Sequence, residues 1–155
     1  MMRKIRDIVL FTPHRAIFLY RLSNKIYNKG WTKTAYILKS INITLNGCEI
    51  SPAAKIGKNL TICHTPGIVI GDGVVIGDNA KLFQNITLGT KDGSSPEYPI
   101  VGNNVTLFCG CVIVGNVTIG DNSVIGANSV VLNSVPTNSI AVGIPATCKA
   151  KVLVS

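Results

Sequence analysis

The sequence predicts an all-β fold: a three-sided prism wound from short parallel strands, preceded by a short helical segment. Three observations carry this. From Ile50 onward, aliphatic residues recur every six positions. The series runs Ile50, Ile56, Ile62, Ile68, then, after an offset of two, Ile70, Ile76, Leu82, Leu88. After an interruption, Val101, Leu107, Ile113, Ile119, Ile125 and Val131 follow without a slip. Second, four places after most of these sits a mostly small or β-branched residue: Ala54, Val74, Ala80, Val105, Cys111, Val117, Ser123 and Ser129. Third, Gly, Asn or Asp often follow, as in "TIGDNSVIGANSVV", and these residues tolerate the positive φ of sharp corners. A period of six with two inward positions is a short flat strand ending in a corner. Three such strands close a coil of about eighteen residues, and stacked coils pair in parallel about 4.8 Å apart. An ordinary β-sandwich does not account for the unbroken phase from Val101 to Val131.

The first forty residues lack this period and read as helix. Thr12 is placed to cap, Pro13 suits a first helical position, and Gly30 is a stop. "WTKTAYILKS" reads as a second short helix. The expected division is a basic helical segment over 1–45 and a β-helical domain over 46–155. The formal net charge of +8 belongs wholly to the N-terminal part. Residues 1–40 hold nine basic residues against Asp7, whereas 41–155 hold six of each sign. One reading is a solvated face of helices that pack the prism end. The other is attraction of residues 1–40 to an anionic membrane surface. Nucleic acid is not expected, because aromatics are 6% and no recognition motif appears.

Five cysteines, with no signal-like start, argue against a disulfide framework and for the cytoplasm. Cys109 and Cys111 form C-x-C rather than paired C-x-x-C, so no zinc site is expected. "GDGVVIG" sits inside the repeat with no helix after it, so it is not a dinucleotide loop. His64, in "ICHTPGIVIG", is the single histidine of the repeat region; His14 lies in the helical segment.

The repeats resemble the hexapeptide-repeat acyltransferases, and "EISPAAKIG", "ICHTPGIVIG", "QNITLG" and "AVGIPA" are similar to the serine acetyltransferase branch. The resemblance covers roughly residues 47–148. It implies a left-handed hand for the β-helix, a homotrimer with active sites between neighbouring prisms, and transfer of acetyl from acetyl-CoA to a hydroxyl without a metal. It also implies a catalytic histidine paired with an acid 15 positions earlier, which here gives His64 and Glu49. The family's usual acid at that place is Asp, so Glu49 is one methylene longer. A neutral imidazole would remove the hydroxyl proton, and the carboxylate would fix its tautomer. By the same resemblance Gly89, Thr90, Cys109, Gly110 and Ala127 line the CoA arm, with Lys149 and Lys151 near its phosphates.

For the acceptor the sequence departs from the branch. Cys63 stands where an Asp adjoins the catalytic histidine, Glu97 and Tyr98 stand where Arg and His hold the amino-acid carboxylate, and the helical domain is short. An acid at 97 would repel a serine carboxylate. The reading is therefore a cytoplasmic O-acetyltransferase acting on a hydroxyl of a sugar or surface-polysaccharide precursor; the membrane reading of residues 1–40 would put it at the inner face of the membrane, on a lipid-linked glycan. The alternatives are serine O-acetylation, a non-catalytic β-helical scaffold, and a zinc hydrolase on the same fold. The last would need three converging histidines.

Overall fold

A computed structural model of the protein describes residues 10–93 and 96–151. Two antiparallel-packed helices, α1 (Thr12–Tyr27) and α2 (Thr32–Asn46), precede the strands. The first coil is β1 (Cys48–Ile50), β2 (Lys55–Ile56) and β3 (Thr61–Ile62). The second is β4 (Ile68–Ile70), β5 (Val75–Ile76) and β6 (Lys81–Leu82). The third is β7 (Thr87–Gly89), β8 (Ile100–Val101) and β9 (Thr106–Leu107), and the fourth β10 (Val112–Val114), β11 (Thr118–Ile119) and β12 (Val124–Ile125). A last partial coil holds β13 (Val130–Val131) and β14 (Ser139–Gly143), and β15 (Ala146–Ala150) folds back antiparallel on β14.

Three parallel walls result: β1-β4-β7-β10-β13, β2-β5-β8-β11, and β3-β6-β9-β12-β14. The solenoid has about five turns and is the left-handed parallel β-helix expected. Its core is three vertical ladders, one per wall. By strand register, Ile50, Ile70, Leu88, Ile113 and Val131 stack in the first. Ile56, Ile76, Val101, Ile119 and Val135 stack in the second. Ile62, Leu82, Leu107, Ile125 and Ala141 stack in the third. All are buried, as are Ala54, Val74, Ala80, Val105, Cys111, Val117, Ser123 and Ser129. Burying each large aliphatic side chain stabilises the prism by roughly 1.5–3 kcal/mol.

The corners are asparagine and glycine. Asn59, Asn79, Asn104, Asn122 and Asn138 all have positive φ and stack along one edge. Each side-chain amide donates to the next asparagine's carbonyl oxygen, at 3.0, 3.1, 3.1 and 3.2 Å. The left-handed backbone and the ladder are two demands that Asn meets at once.

The helices close the open end. A first coil without a neighbour leaves strand carbonyls unpaired, and α1 covers them. Tyr20 Oη donates to Ala54 O at 2.9 Å, Asn24 Nδ2 to Pro52 O at 2.8 Å, and the Arg21 guanidinium to Ile56 O and Gly57 O. Burial raises the Tyr20 phenol above its ordinary pKa, against the lowering effect of Arg21. Between the helices Asn42 donates to Ala16 O at 3.1 Å, and Arg15 Nε to Asn46 Oδ1 at 2.8 Å. Two sequence expectations shift. Phe11, not Thr12, is the N-cap of α1: Phe11 is extended (φ −109°, ψ 116°) and Thr12 is already the first helical residue, which puts Pro13 second. The second helix continues past Ser40 to Asn46 and stops at Gly47, whose left-handed φ of 61° glycine adopts without strain. Among the described residues no helix is long and apolar enough to cross a membrane.

Candidate active site

The wall carrying β1 meets the wall carrying β3 at one corner, and the repeat is broken there. Cys48 pairs with Ile68, Lys55 with Val75 and Thr61 with Lys81, a step of twenty residues each. Val69 then pairs with Thr87, a step of eighteen. The two extra residues therefore lie between Ile62 and Ile68, within 63–67, and not between Ile68 and Ile70 as the aliphatic spacing implies. Ile68 and Ile70 both point inward, flanking the exposed Val69.

The enlarged corner is pinned at both ends. Cys63 N–H donates to Leu82 O at 2.8 Å and Gly67 N–H to Gly47 O at 2.9 Å, while Pro66 O accepts from Asn85 N–H at 2.9 Å. Thr65 is buried. His64 is exposed and makes no hydrogen bond or ion pair with another described residue. A fixed loop thus holds a solvent-facing imidazole. Cys63 beside it is half-buried.

Glu49 is the outward residue of β1, opposite Val69 in register. Its carboxylate meets an unforeseen partner: Lys39 Nζ of α2 lies 2.7 Å from Oε1. The Lys39 side chain is 20% exposed and that of Glu49 43%. Within the chain, Glu49 is therefore joined to Lys39, and it has no hydrogen bond to His64. Lys39 escaped the sequence reading because it looked like one more surface cation. Only the turn that brings α2 back over β1 makes it a neighbour of the acid.

Three of the residues expected to line the CoA arm share the corner of His64. Gly110 N–H donates to Gln84 O at 3.0 Å and Asn128 N–H to Cys109 O at 2.9 Å, so the column runs from His64 past Gln84 to Cys109, Gly110 and Ala127. Gly110 has φ 72°, and a Cβ there would lie 2.1 Å from Asn128 Oδ1. Gln84 is a second residue the sequence reading quoted but did not assign. Its Oε1 is buried without a hydrogen-bond partner. Beside the column Phe83 and Phe108 stack at 4.9 Å.

The other expected residues lie elsewhere. Gly89 and Thr90 are at the opposite edge of the β1 wall, where Gly89 O accepts from Gly115 N–H at 2.9 Å and Thr90 Oγ1 from Gly93 N–H at 3.0 Å. The chain leaves the wall there after β7 and rejoins the prism at β8. Glu97 is exposed. Tyr98 lies flat on the wall: a Cβ at Gly71 or Gly73 would come within 2.8 or 2.2 Å of its ring. The two glycines of "GDG" make room for a tyrosine that anchors the loop. Lys149, opposite Ile140 on β15, sits toward the asparagine edge, and Lys151 Nζ reaches Asn122 O at 3.5 Å. Both are thus far along their wall from the His64 corner. Among the described residues no cluster of His, Cys, Asp or Glu side chains is placed to hold a metal ion.

Burial pushes the Cys48 and Cys111 thiols up to about 12, so neither is a thiolate nucleophile. In the wall strands successive side chains alternate inward and outward, and Cys63 follows the inward Ile62 directly.

Residues 98–133 match the family model described as Bacterial transferase hexapeptide (six repeats). A serine acetyltransferase of Staphylococcus aureus (strain Mu50) is 41% identical over 139 residues, which is 89% of this chain and 65% of the relative. Serine acetyltransferase from Brucella abortus strain S19, solved in complex with coenzyme A, is similar with TM-score 0.89 and 35% identity over 94% of this chain and 59% of that one. Soybean serine acetyltransferase complexed with serine gives TM-score 0.87 and 33% identity over 90% of this chain and 58% of that one. The chain spans slightly under two thirds of the length of these relatives.

Proposed function

We propose that this chain is a transferase of the hexapeptide-repeat kind, matched over residues 98–133, and specifically an acetyl-CoA-dependent O-acetyltransferase with His64 as general base. The observation that carries this is the two-residue enlargement of one corner, which lifts a single histidine out of the wall beside the strand of Glu49. In the reaction His64 takes the acceptor's hydroxyl proton as the oxygen attacks the thioester carbonyl. The carbon–sulfur bond then breaks, and the imidazolium returns the proton to the CoA thiolate. Glu49 orients the imidazole and stabilises its charged form. Gly110, Cys109 and Ala127 offer a side-chain-poor edge for the pantetheine arm.

The acceptor best supported is L-serine, because the relatives are serine acetyltransferases. That departs from the sugar hydroxyl expected from the sequence. The glycan remains the second reading on one observation: beside His64 stands the half-buried thiol of Cys63 in place of a carboxylate that would pair with an amino group. Glu97 and Tyr98 sit at the other edge of the wall, so they bear on the acceptor only across a cleft between two copies, as in the expected homotrimer. A thiol-release screen of acetyl-CoA against L-serine, nucleotide sugars and oligosaccharides tests the reading. Release with L-serine is expected; release with glycans alone would replace serine by the sugar acceptor.

The proposal places the enzyme in the cytoplasm. Arg15, Arg21 and Lys39 are spent on internal bonds, so exposed basic charge on the helices gathers at Lys25, Lys29 and Lys33, around an exposed Trp31. That tip is the part of residues 10–46 suited to an anionic membrane surface.

A further inference from the structure

We infer that Lys39 is a positioning residue for the acid of the catalytic pair: it fixes one oxygen of Glu49 so that the other is presented toward His64. The inference rests on the His64–Glu49 reading above. A glutamate at this place has one more rotatable bond than an aspartate, and an outward strand residue has solvent on its open side. Left alone, its carboxylate would sample several rotamers. The structure shows what restrains it. The Lys39 ammonium lies 2.7 Å from Oε1, and Lys39 is itself four-fifths covered. Lys39 also lies over the ring of Tyr36, with Nζ 5.7 Å from the centroid. The ammonium is thus held from two sides, by a carboxylate and by an aromatic face. Lys39 and Tyr36 are on one face of α2, and α2 is packed on β1. The helix accordingly adds a cation to the site besides closing the prism end. The extra methylene of Glu49 lets one carboxylate serve two cations, Lys39 in the resting enzyme and the imidazolium when it forms.

The test is steady-state kinetics with acetyl-CoA and L-serine, or whichever acceptor the screen identifies, on Lys39→Met, Lys39→Arg, Glu49→Asp and the Lys39→Met/Glu49→Asp double variant. Lys39→Met is expected to lower kcat about tenfold with KM for acetyl-CoA unchanged, in the range seen when groups orienting a site residue are removed. Lys39→Arg should recover most of that loss, since a guanidinium also donates to a carboxylate. Glu49→Asp should cost more in the native background than beside Lys39→Met, because the shortened acid loses a partner only where that partner exists. Thermal melting of each variant separates a kinetic loss from unfolding. A Lys39→Met enzyme with native kcat, or effects of Lys39→Met and Glu49→Asp that simply multiply, overturns the inference. If instead Glu49→Gln and His64→Ala retain the native rate, it is the catalytic pair itself that fails.

Discussion

Single residues here are constrained by their corner as much as by their chemistry. Gly110 combines φ 72° with an Asn128 oxygen at 2.1 Å from any added Cβ. Gly110→Ala is expected to destabilise the fold by about 1–3 kcal/mol, read as a lower denaturation midpoint with an unchanged m-value. The cysteines divide by burial. Cys48 and Cys111 are buried with thiols raised to about 12, while Cys148 is exposed. A thiol reagent at neutral pH should label Cys148 first and reach Cys48 and Cys111 only on unfolding, as peptide mapping would show. The sign of the linked pH effect follows. An unfolded thiol ionises near 9 while the folded one resists to about 12. Stability from burying these two groups is therefore full below pH 9 and falls as pH rises from 9 toward 12. A chemical-denaturation series across that window should show the decline, and Cys48→Ala should reduce its slope.

At the scale of elements, the parts repeated in sequence were legible and the parts made by contact were not. The six-residue period named thirteen of the fifteen ladder residues, since burial acts on each repeat alike; Val135 and Ala141 lie beyond the last repeat it followed. The offset at the His64 corner was misplaced because Ile68 and Ile70 are both aliphatic and both inward; spacing alone has no means of telling which is in phase. The second helix ran longer than its first ten residues implied, because its stop is Gly47 rather than anything in "WTKTAYILKS". The asparagine ladder makes the element-scale prediction. Asn104 donates to Asn122 and accepts from Asn79 at positive φ. Asn104→Ala should cost about 1–2 kcal/mol, and Asn104→Gly, which keeps the backbone freedom but not the bonds, should cost less. The measurement is the difference in unfolding free energy between the two.

For the whole molecule, the charge asymmetry found in the sequence resolves into distinct duties. Arg21 ties α1 to the first coil, Arg15 ties it to α2, and Lys39 holds Glu49. None of these was visible in a count of charges, because each depends on which coil the hairpin covers. Arg3, Lys4 and Arg6 lie outside the described residues; on the helical hairpin the basic side chains left for an external partner are Lys25, Lys29 and Lys33, on either side of Trp31 in the sequence. At about 1 kcal/mol per lysine near an anionic surface, changing all three to Gln should weaken association with anionic vesicles on the order of a hundredfold. Neutral vesicles should bind neither protein, and equal binding of both proteins to anionic vesicles would remove the membrane from the proposal. The site itself was partly legible. Glu49 and His64 were named only through the family resemblance that "EISPAAKIG" and "ICHTPGIVIG" carry, as were Cys109, Gly110 and Ala127, which do share the corner of His64. Lys39 and the buried Gln84 Oε1 without a hydrogen-bond partner emerged only from three-dimensional packing.

The central claim is that His64 removes the acceptor's proton. It is tested most directly by comparing CoA release from acetyl-CoA by the native enzyme and by His64→Ala, with CoA binding measured on both by calorimetry. The account predicts that release falls by at least about a thousandfold, as for loss of a general base and its positioning together, while CoA binding stays within about threefold. A His64→Ala enzyme that releases CoA at close to the native rate would contradict it.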